Sequence, residues 1–195
     1  MIDNRKISEL NGEDWKKVRI KYHQPNSPMN REDAAKVLFE FDDIMSETAT
    51  PYFLSCGTAL GFRRDGNFIE WDDEIDIDIK SEEFMPRFIF LKEKFLENGF
   101  IVRPTLRNNG SKMNIFKNKI KIAMSSLSLI GESRIYSNQK VPGKLYERPD
   151  KIEYLGREFN LPGPSEEYLT WYYGDWETVI KSYDPSNYVN KNIWR

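Results

Sequence analysis

The sequence contains one cysteine, Cys56, and one histidine, His23. One cysteine rules out an internal disulfide framework, so we expect a reducing, cytoplasmic environment. With one His and one Cys, the sequence lacks the ligands for a zinc site of the His and Cys type. A Ser-His-Asp or Cys-His arrangement would have to use His23. Because His23 lies in a polar stretch with the pattern of a loop, we expect any catalysis to depend on carboxylates and a metal ion.

Long hydrophobic runs and an excess of one charge are also missing. No apolar stretch approaches the roughly 20 residues that span a bilayer, and the first residues lack the apolar segment of a signal peptide. The 29 basic and 31 acidic residues leave a net charge of -2, which argues against nucleic acid as a partner. The 195 residues predict an N-terminal arm over residues 1–30 and a single domain over residues 31–195.

The sequence does contain a strict alternation of acids and isoleucines over residues 74–79. A period of two is typical of a half-buried strand, whose polar face here carries Glu74, Asp76 and Asp78. Neighbouring acids on such a face lie about 7 Å apart and repel by about 2 kcal/mol at an effective dielectric constant near 20. Mg²⁺ and Mn²⁺ prefer oxygen ligands, so the row predicts a divalent-metal site for a phosphate-bearing substrate.

A solvated acidic surface is the alternative explanation of this segment. It accounts for Glu70, Asp72 and Asp73, but it does not account for isoleucines interleaved so strictly with the three acids that follow. An EF-hand loop is a poor match, because the Gly at its sixth position and the Glu at its twelfth position are absent.

Periodicity and turn residues predict the other elements. These are a short helix around residues 13–20, a helix over 31–47, a strand over 52–55, a helix beginning near Gly57, a helix over 86–98, a strand over 100–102, hairpins over 111–129 and 151–161, and a helix over 165–173. The remainder of the chain is predicted to be irregular. The strand-to-helix turn at Gly57-Thr58 exposes backbone N–H groups that suit a phosphate, although such turns are also common without a ligand.

Two sequence motifs point to a known family. The first runs from Leu54 to Gly61, continues through Arg64, Gly66 and Phe68-Ile69, and ends with Trp71 to Ile77. The second consists of Pro164 to Leu169 and Tyr173 to Trp176. Together they closely resemble the signatures of the LicD/fukutin family of the nucleotidyltransferase-fold superfamily. The resemblance extends from about residue 35 to residue 180, and it implies an α+β fold with a nucleotidyltransferase-like mixed β-sheet flanked by helices.

The resemblance also implies a reaction. Family members resemble phosphotransferases that pass the phospho-group of a CDP-activated alcohol, such as CDP-choline or a CDP-polyol, to a glycan or other hydroxyl. The family's D-x-D metal pair falls on Glu74 and Asp76, and the strand period adds Asp78 as a further ligand of Mg²⁺ or Mn²⁺. A true nucleotidyltransferase and a catalytically inactive nucleotide-binding relative remain alternatives. The sequence identifies neither the donor alcohol, the acceptor nor the oligomeric state.

Phosphoryl-transfer chemistry assigns expected roles to the other candidates. Gly57 and Thr58 are expected to bind phosphate, and Arg64 to bind it and neutralise the charge that develops during transfer. A carboxylate that the metal leaves free, Asp78 in preference to Asp76, is expected to accept the acceptor's proton. The candidate substrate contacts are Trp71, Asp72 and Asp175, of which Asp175 has closure of the last helix as its structural alternative.

Two residues depart from the family pattern. Cys56 stands where the family often has Gly, and the expected role there is that of a small buried residue. Ala123 stands where family members often carry an Asp, on a strand beside the metal. Either Asp78 substitutes for that missing acid, or the chain is an inactive relative.

Overall fold

A computed structural model of the protein describes residues 3–107, 110–137 and 139–181. Within these ranges the helices are α1 (Asn4–Ser8), α2 (Gly12–Val18), α3 (Arg31–Glu47), α4 (Cys56–Asp65), α5 (Ser81–Phe84), α6 (Phe88–Glu97) and α7 (Ser165–Tyr173). Short 3-10 turns cover Arg19–Lys21, Met85–Arg87 and Gly143–Tyr146. The strands are β1 (Phe53–Leu54), β2 (Ile75–Lys80), β3 (Ile101–Thr105), β4 (Lys112–Lys117), β5 (Ile120–Ile130), β6 (Ser133–Tyr136), β7 (Gln139–Pro142), β8 (Asp150–Tyr154) and β9 (Arg157–Leu161).

The acidic strand β2 lies inside a mixed sheet with the order β1-β2-β5-β4-β3. Strand β2 runs parallel to β5 and antiparallel to β1, and β4 joins β5 and β3 by antiparallel pairing. Strands β6 and β7 extend the sheet from the far end of β5, and β8 and β9 form a separate hairpin. This confirms the predicted α+β class and the mixed sheet.

The isoleucines of β2 lie in the main hydrophobic core. Ile75, Ile77 and Ile79 have no exposed surface, and each such side chain contributes about 2 kcal/mol by burial. The apolar stripe of α3 faces the same core, where the ring of Phe41 stacks on Phe95 of α6 with centroids 5.5 Å apart. The acids at the alternate positions therefore lie on the other face of the sheet, as the period of two predicts.

Within residues 3–30, α1 and α2 pack against the edge of the sheet. The backbone N–H of Val102 donates to the Ser8 hydroxyl at 3.0 Å, and the Arg103 guanidinium donates to the Ser8 carbonyl at 3.0 Å. The Trp15 ring packs on Phe116 with centroids 5.1 Å apart. Helix α2 matches the short helix expected around residues 13–20, whereas nothing in the sequence pattern indicated α1 or these long-range contacts.

The same N-terminal segment reaches the acids that precede β2. His23 is buried, and its Nε2 lies 3.6 Å from the carboxylate of Asp73. The backbone N–H of Asn26 donates to that carboxylate at 2.7 Å, and the backbone N–H of Met29 donates to the carbonyl of Asp72 at 2.9 Å. The loop at His23 thus fixes the approach of the chain to β2.

Most predicted elements are present, and α1 is not the only difference. The β6–β7 hairpin was not predicted, and the helix expected over residues 86–98 is divided into a 3-10 turn and α6. The predicted irregular end follows α7 as far as Lys181, and its remainder lies outside the described residues. Among the helices of the described ranges, none combines the length and the apolar character needed to cross a membrane.

Candidate active site

The first turn of α4 holds Asp76 in place. The backbone N–H of Gly57 donates to Asp76 Oδ2 at 3.0 Å, and the backbone N–H of Asp76 donates to the buried hydroxyl of Thr58 at 2.8 Å. The Ser55 N–H donates to the Asp76 carbonyl at 3.0 Å. In this structure Gly57 and Thr58 therefore orient the carboxylate, and their expected role in phosphate binding stays a prediction.

A second carboxylate, that of Asp72, converges on the same point. A Cβ atom added at Gly57 would lie 2.7 Å from Asp72 Oδ2 and 3.3 Å from Asp76 Oδ2, so only glycine allows both carboxylates to approach the backbone here. Asp72 Oδ2 is buried and has no hydrogen-bond partner in the described structure. The preceding residue, Cys56, has a φ of 42°, a conformation that favours the glycine often found there in the family.

Burial and the charges of neighbouring acids raise the pKa values of these two acids. Burial is the largest cause for Asp72, followed by the charges of Glu74 and Asp73, and together they raise its pKa to about 7. Burial, then Glu74 and Asp72, raise the pKa of Asp76 well above its ordinary value. The acids that interact closely are therefore Asp72, Glu74 and Asp76, a cluster that would accept a positive charge.

Glu74 is the member of this cluster that already has a cationic partner. Burial alone would raise the pKa of Glu74, but the charges of Lys121 and Lys112 and a hydrogen bond from Lys121 outweigh it and lower the pKa. The Lys121 ammonium donates directly to Glu74 Oε2. A metal ion at Glu74 would therefore compete with Lys121 for this carboxylate.

Asp78 lies apart from the cluster, although it shares the face of the strand. Its carboxylate accepts a hydrogen bond of 2.6 Å from the hydroxyl of Tyr146, and it is only 2% exposed. Burial raises the pKa of Asp78 to about 6, opposed by hydrogen bonds from Tyr146 and Ser55. The metal-binding and proton-accepting roles expected of Asp78 stay predictions, and its surroundings instead link β2 to the 3-10 turn that contains Tyr146.

Three other candidates contact side chains outside the acidic cluster. Arg64 lies seven residues after Gly57, about 10 Å along the helix axis, and its guanidinium binds Asp65 through bonds of 2.8 and 2.9 Å. Asp175 accepts from the Thr178 hydroxyl at 2.8 Å in an exposed turn. The partly buried Trp71 ring lies 5.5 Å from the Lys181 ammonium. Their expected contacts with a substrate stay predictions.

Ala123, where the family resemblance predicts an acid, lies directly beside Asp76. In the parallel pairing of β2 and β5, Asp76 lies opposite Ala123, whose side chain is buried. An acid at this position would extend the Asp72–Asp76 pair on the same face. As the side chains stand in the described ranges, no group of three or more His, Cys, Asp or Glu residues is arranged to hold a metal ion.

Two carboxylates nevertheless fit a divalent cation. The buried, unpartnered Oδ2 of Asp72 and the Asp76 carboxylate reach the same point beside Gly57. Hard oxygen donors of this kind suit Mg²⁺ and Mn²⁺. Sequence reasoning placed Asp72 only among the substrate contacts, and it missed Lys121 and Tyr146, which act through contacts that no local motif signals.

The fold is that of the nucleotidyltransferases. A solved structure of ANT(2")-Ia in complex with adenylyl-2"-tobramycin is similar, with a TM-score of 0.51 and 16% sequence identity over 71% of this chain and 73% of that chain. At this identity the similarity concerns the fold alone, and it confirms a nucleotidyltransferase-like mixed sheet flanked by helices. No curated protein matches the sequence significantly.

The family is shown by the sequence itself. The pattern described as LicD/FKTN/FKRP, nucleotidyltransferase domain, matches residues 49–162, which is more than half of the chain. The protein belongs to this family, as the first motif indicated, whereas the second motif lies beyond the matched residues. Membership places it among transferases of phosphate- or nucleotide-related groups.

Proposed function

We propose that the protein is a metal-dependent phosphotransferase. It moves a phospho-alcohol, of the phosphocholine or polyol-phosphate type, from a CDP-activated donor to the hydroxyl of a glycan or another acceptor. The observation that carries the proposal is the convergence of Asp72 and Asp76 on Gly57, with the buried Asp72 Oδ2 left unpartnered. Two carboxylates that converge on one backbone position repel each other, and a bound cation would remove that repulsion.

The residues of the site have different roles in the proposed reaction. Asp72 and Asp76 would hold Mg²⁺ or Mn²⁺, and the bound ion would neutralise the charge of the donor's diphosphate. Gly57 and Thr58 keep Asp76 in position. Lys121, which is bonded to Glu74 in this structure, becomes available to an anionic substrate once Glu74 turns to the cation.

The proposed transfer forms one bond to phosphorus and breaks another. The oxygen of the acceptor hydroxyl forms a bond to the phosphorus that carries the alcohol, and the bond from that phosphorus to the oxygen of CMP breaks. CMP leaves with the electron pair, and the hydroxyl proton passes to a carboxylate of the site that the cation does not occupy.

Two alternatives have an observation in their favour. Transfer of the nucleotide half of the donor is favoured by the similarity to ANT(2")-Ia, whose solved structure contains adenylyl-2"-tobramycin. Loss of turnover with retention of binding is favoured by Ala123, which lies beside Asp76 where an acid is expected.

Mass spectrometry of the products separates these possibilities. The protein is incubated with Mn²⁺, CDP-choline or a CDP-polyol, and hydroxyl acceptors. Release of CMP together with an acceptor that gains the phospho-alcohol supports the proposal, and Asp76→Asn should abolish both. An acceptor that gains CMP would instead identify a nucleotidyltransferase. If only the Ala123→Asp variant consumes the donor, the natural chain is an inactive relative.

A further inference from the structure

A second buried side-chain oxygen near the acidic cluster lacks a partner. Asn114 Oδ1, on strand β4, has no exposed surface and no hydrogen bond in the described structure. A buried acceptor without a donor is unfavourable, and an unpartnered oxygen in a native protein calls for an explanation such as a missing ion or water. The question is what Asn114 Oδ1 faces.

The sheet register places Asn114 in the same row as Asp76. Asp76 lies opposite Ala123 in the parallel pair of β2 and β5, and Ala123 lies opposite Asn114 in the antiparallel pair of β5 and β4. Side chains that lie opposite one another project from the same face. With adjacent strands about 4.8 Å apart, Asn114 and Asp76 stand two strand spacings apart, and only the methyl group of Ala123 lies between them.

The other neighbour of Asn114 in this row is bonded elsewhere. Arg103 lies opposite Asn114 on β3, but its guanidinium donates to the backbone carbonyls of Ser8 and Leu10. Asp78, the other oxygen donor that could replace the missing acid, is occupied by Tyr146. Unlike Asp78, Asn114 has a side-chain oxygen with no hydrogen-bond partner in the described structure.

We propose that Asn114 supplies, through its side-chain oxygen, a third protein ligand of the divalent cation at Asp72 and Asp76, in place of the acid that is missing at Ala123. The proposal rests on the metal-dependent function proposed above. Amide oxygens are suitable ligands for Mg²⁺ and Mn²⁺. A neutral ligand also adds no repulsion to a cluster that already contains Asp72, Glu74 and Asp76.

The test measures binding of Mn²⁺ alone to the full chain, by electron paramagnetic resonance of the free ion. Asn114→Ala should weaken binding by about tenfold or more, whereas Asn160→Ala, the matched control on β9, should leave it unchanged. Asn114→Asp should bind Mn²⁺ more tightly than the natural chain. In an Ala123→Asp background, the further change Asn114→Ala should weaken Mn²⁺ binding much less than it does in the natural chain. The new carboxylate would then supply the missing oxygen.

A structural role for Asn114 gives different results. Without metal, Asn114→Ala should not lower the melting temperature, because it removes an unpartnered acceptor. If Asn114→Ala does not fold, the Mn²⁺ affinities of Asn114→Asp and of the variants in the Ala123→Asp background still test the proposal. Unchanged Mn²⁺ affinity in Asn114→Ala, with loss of binding in Asp76→Asn, would overturn the role of Asn114 and leave the proposed function intact. Absence of Mn²⁺ binding by the natural chain would overturn both.

Discussion

At the scale of single residues, the site depends on the absence of a side chain at Gly57. The change Gly57→Ala would bring a methyl group to 2.7 Å from Asp72 Oδ2 and 3.3 Å from Asp76 Oδ2, so the carboxylates or the first turn of α4 must shift. We expect a loss of about 1–3 kcal/mol in the free energy of unfolding, together with weaker Mn²⁺ binding. Urea unfolding and a metal titration measure the two effects.

The matched control is Gly12→Ala, where an added Cβ meets nothing within 4 Å. At the start of α2 this change should be neutral or slightly stabilising, because alanine has the higher helix propensity. If Gly57→Ala matched the control in both stability and metal binding, the two carboxylates would not be as close to the backbone as described.

The pKa of Asp72 predicts a dependence of stability on pH. Burial and the neighbouring acids raise that pKa to about 7, above the value of about 3.9 in an unfolded chain. Between about pH 4 and pH 7 the folded state binds more protons than the unfolded state, so this contribution to stability falls as the pH rises. In the presence of a chelator, Asp72→Asn should therefore lose less stability than the natural chain between pH 5 and pH 8.

Melting curves at several pH values measure this difference. An equal fall in melting temperature for the natural chain and the Asp72→Asn variant would show that Asp72 has no raised pKa. An equal rise for both would show the same, because other groups titrate in both proteins and the comparison isolates Asp72.

The sequence predicted which face of β2 is acidic but not which acids act together. The period of two groups Glu74, Asp76 and Asp78, whereas the structure groups the first two with Asp72. The difference arises because Tyr146, 68 residues away in sequence, occupies Asp78, and because the turn before β2 brings Asp72 back to Gly57. Neither contact has a local sequence signal.

At the scale of elements, local patterns predicted helices and hairpins well. Helix α3 follows its apolar stripe and its Asn30 cap, whose side chain accepts from the backbone N–H of Asp33 at 3.0 Å. The β4–β5 and β8–β9 hairpins lie where alternation and turn residues placed them. The packing of α1 and α2 on the sheet could not be predicted, because it depends on contacts about 90 to 100 residues apart in the chain.

The contact of α2 with the sheet gives a prediction at this scale. The Trp15 ring packs on Phe116 and lies 5.0 Å below the guanidinium carbon of Arg103. Trp15→Ala should therefore cost about 2 kcal/mol in the free energy of unfolding. The neighbouring change Lys16→Ala removes only an exposed ion pair with Glu13 and should change stability by less than about 0.5 kcal/mol.

Chemical denaturation with urea compares the two variants. Equal midpoints for Trp15→Ala and Lys16→Ala would contradict a packed N-terminal segment and would favour a loose arm. A loss of stability in Trp15→Ala, without one in Lys16→Ala, would show that the segment stabilises the sheet beside the acidic cluster.

At the scale of the whole molecule, the chain combines a nucleotidyltransferase-like fold with an alanine, Ala123, where the family resemblance predicts an acid. Family motifs predicted the fold because they contain the strand-to-helix turn and the acidic strand that define it. They also identified Ala123 as the departure, and the register confirms that Ala123 lies beside Asp76. The proposed role of Asn114 could not be predicted from the motifs, because the position of β4 beside β5 depends on the sheet as a whole.

The central claim is that Asp76 and its neighbours bind a divalent cation together with a nucleotide diphosphate. Melting temperature measured with Mn²⁺ and CDP tests it most directly, because a ligand that binds only the folded state raises that temperature. The account predicts a rise for the natural chain and for the remote control Asp14→Asn, and no rise for Asp76→Asn. The absence of a rise in the natural chain, or an equal rise in Asp76→Asn, would contradict it.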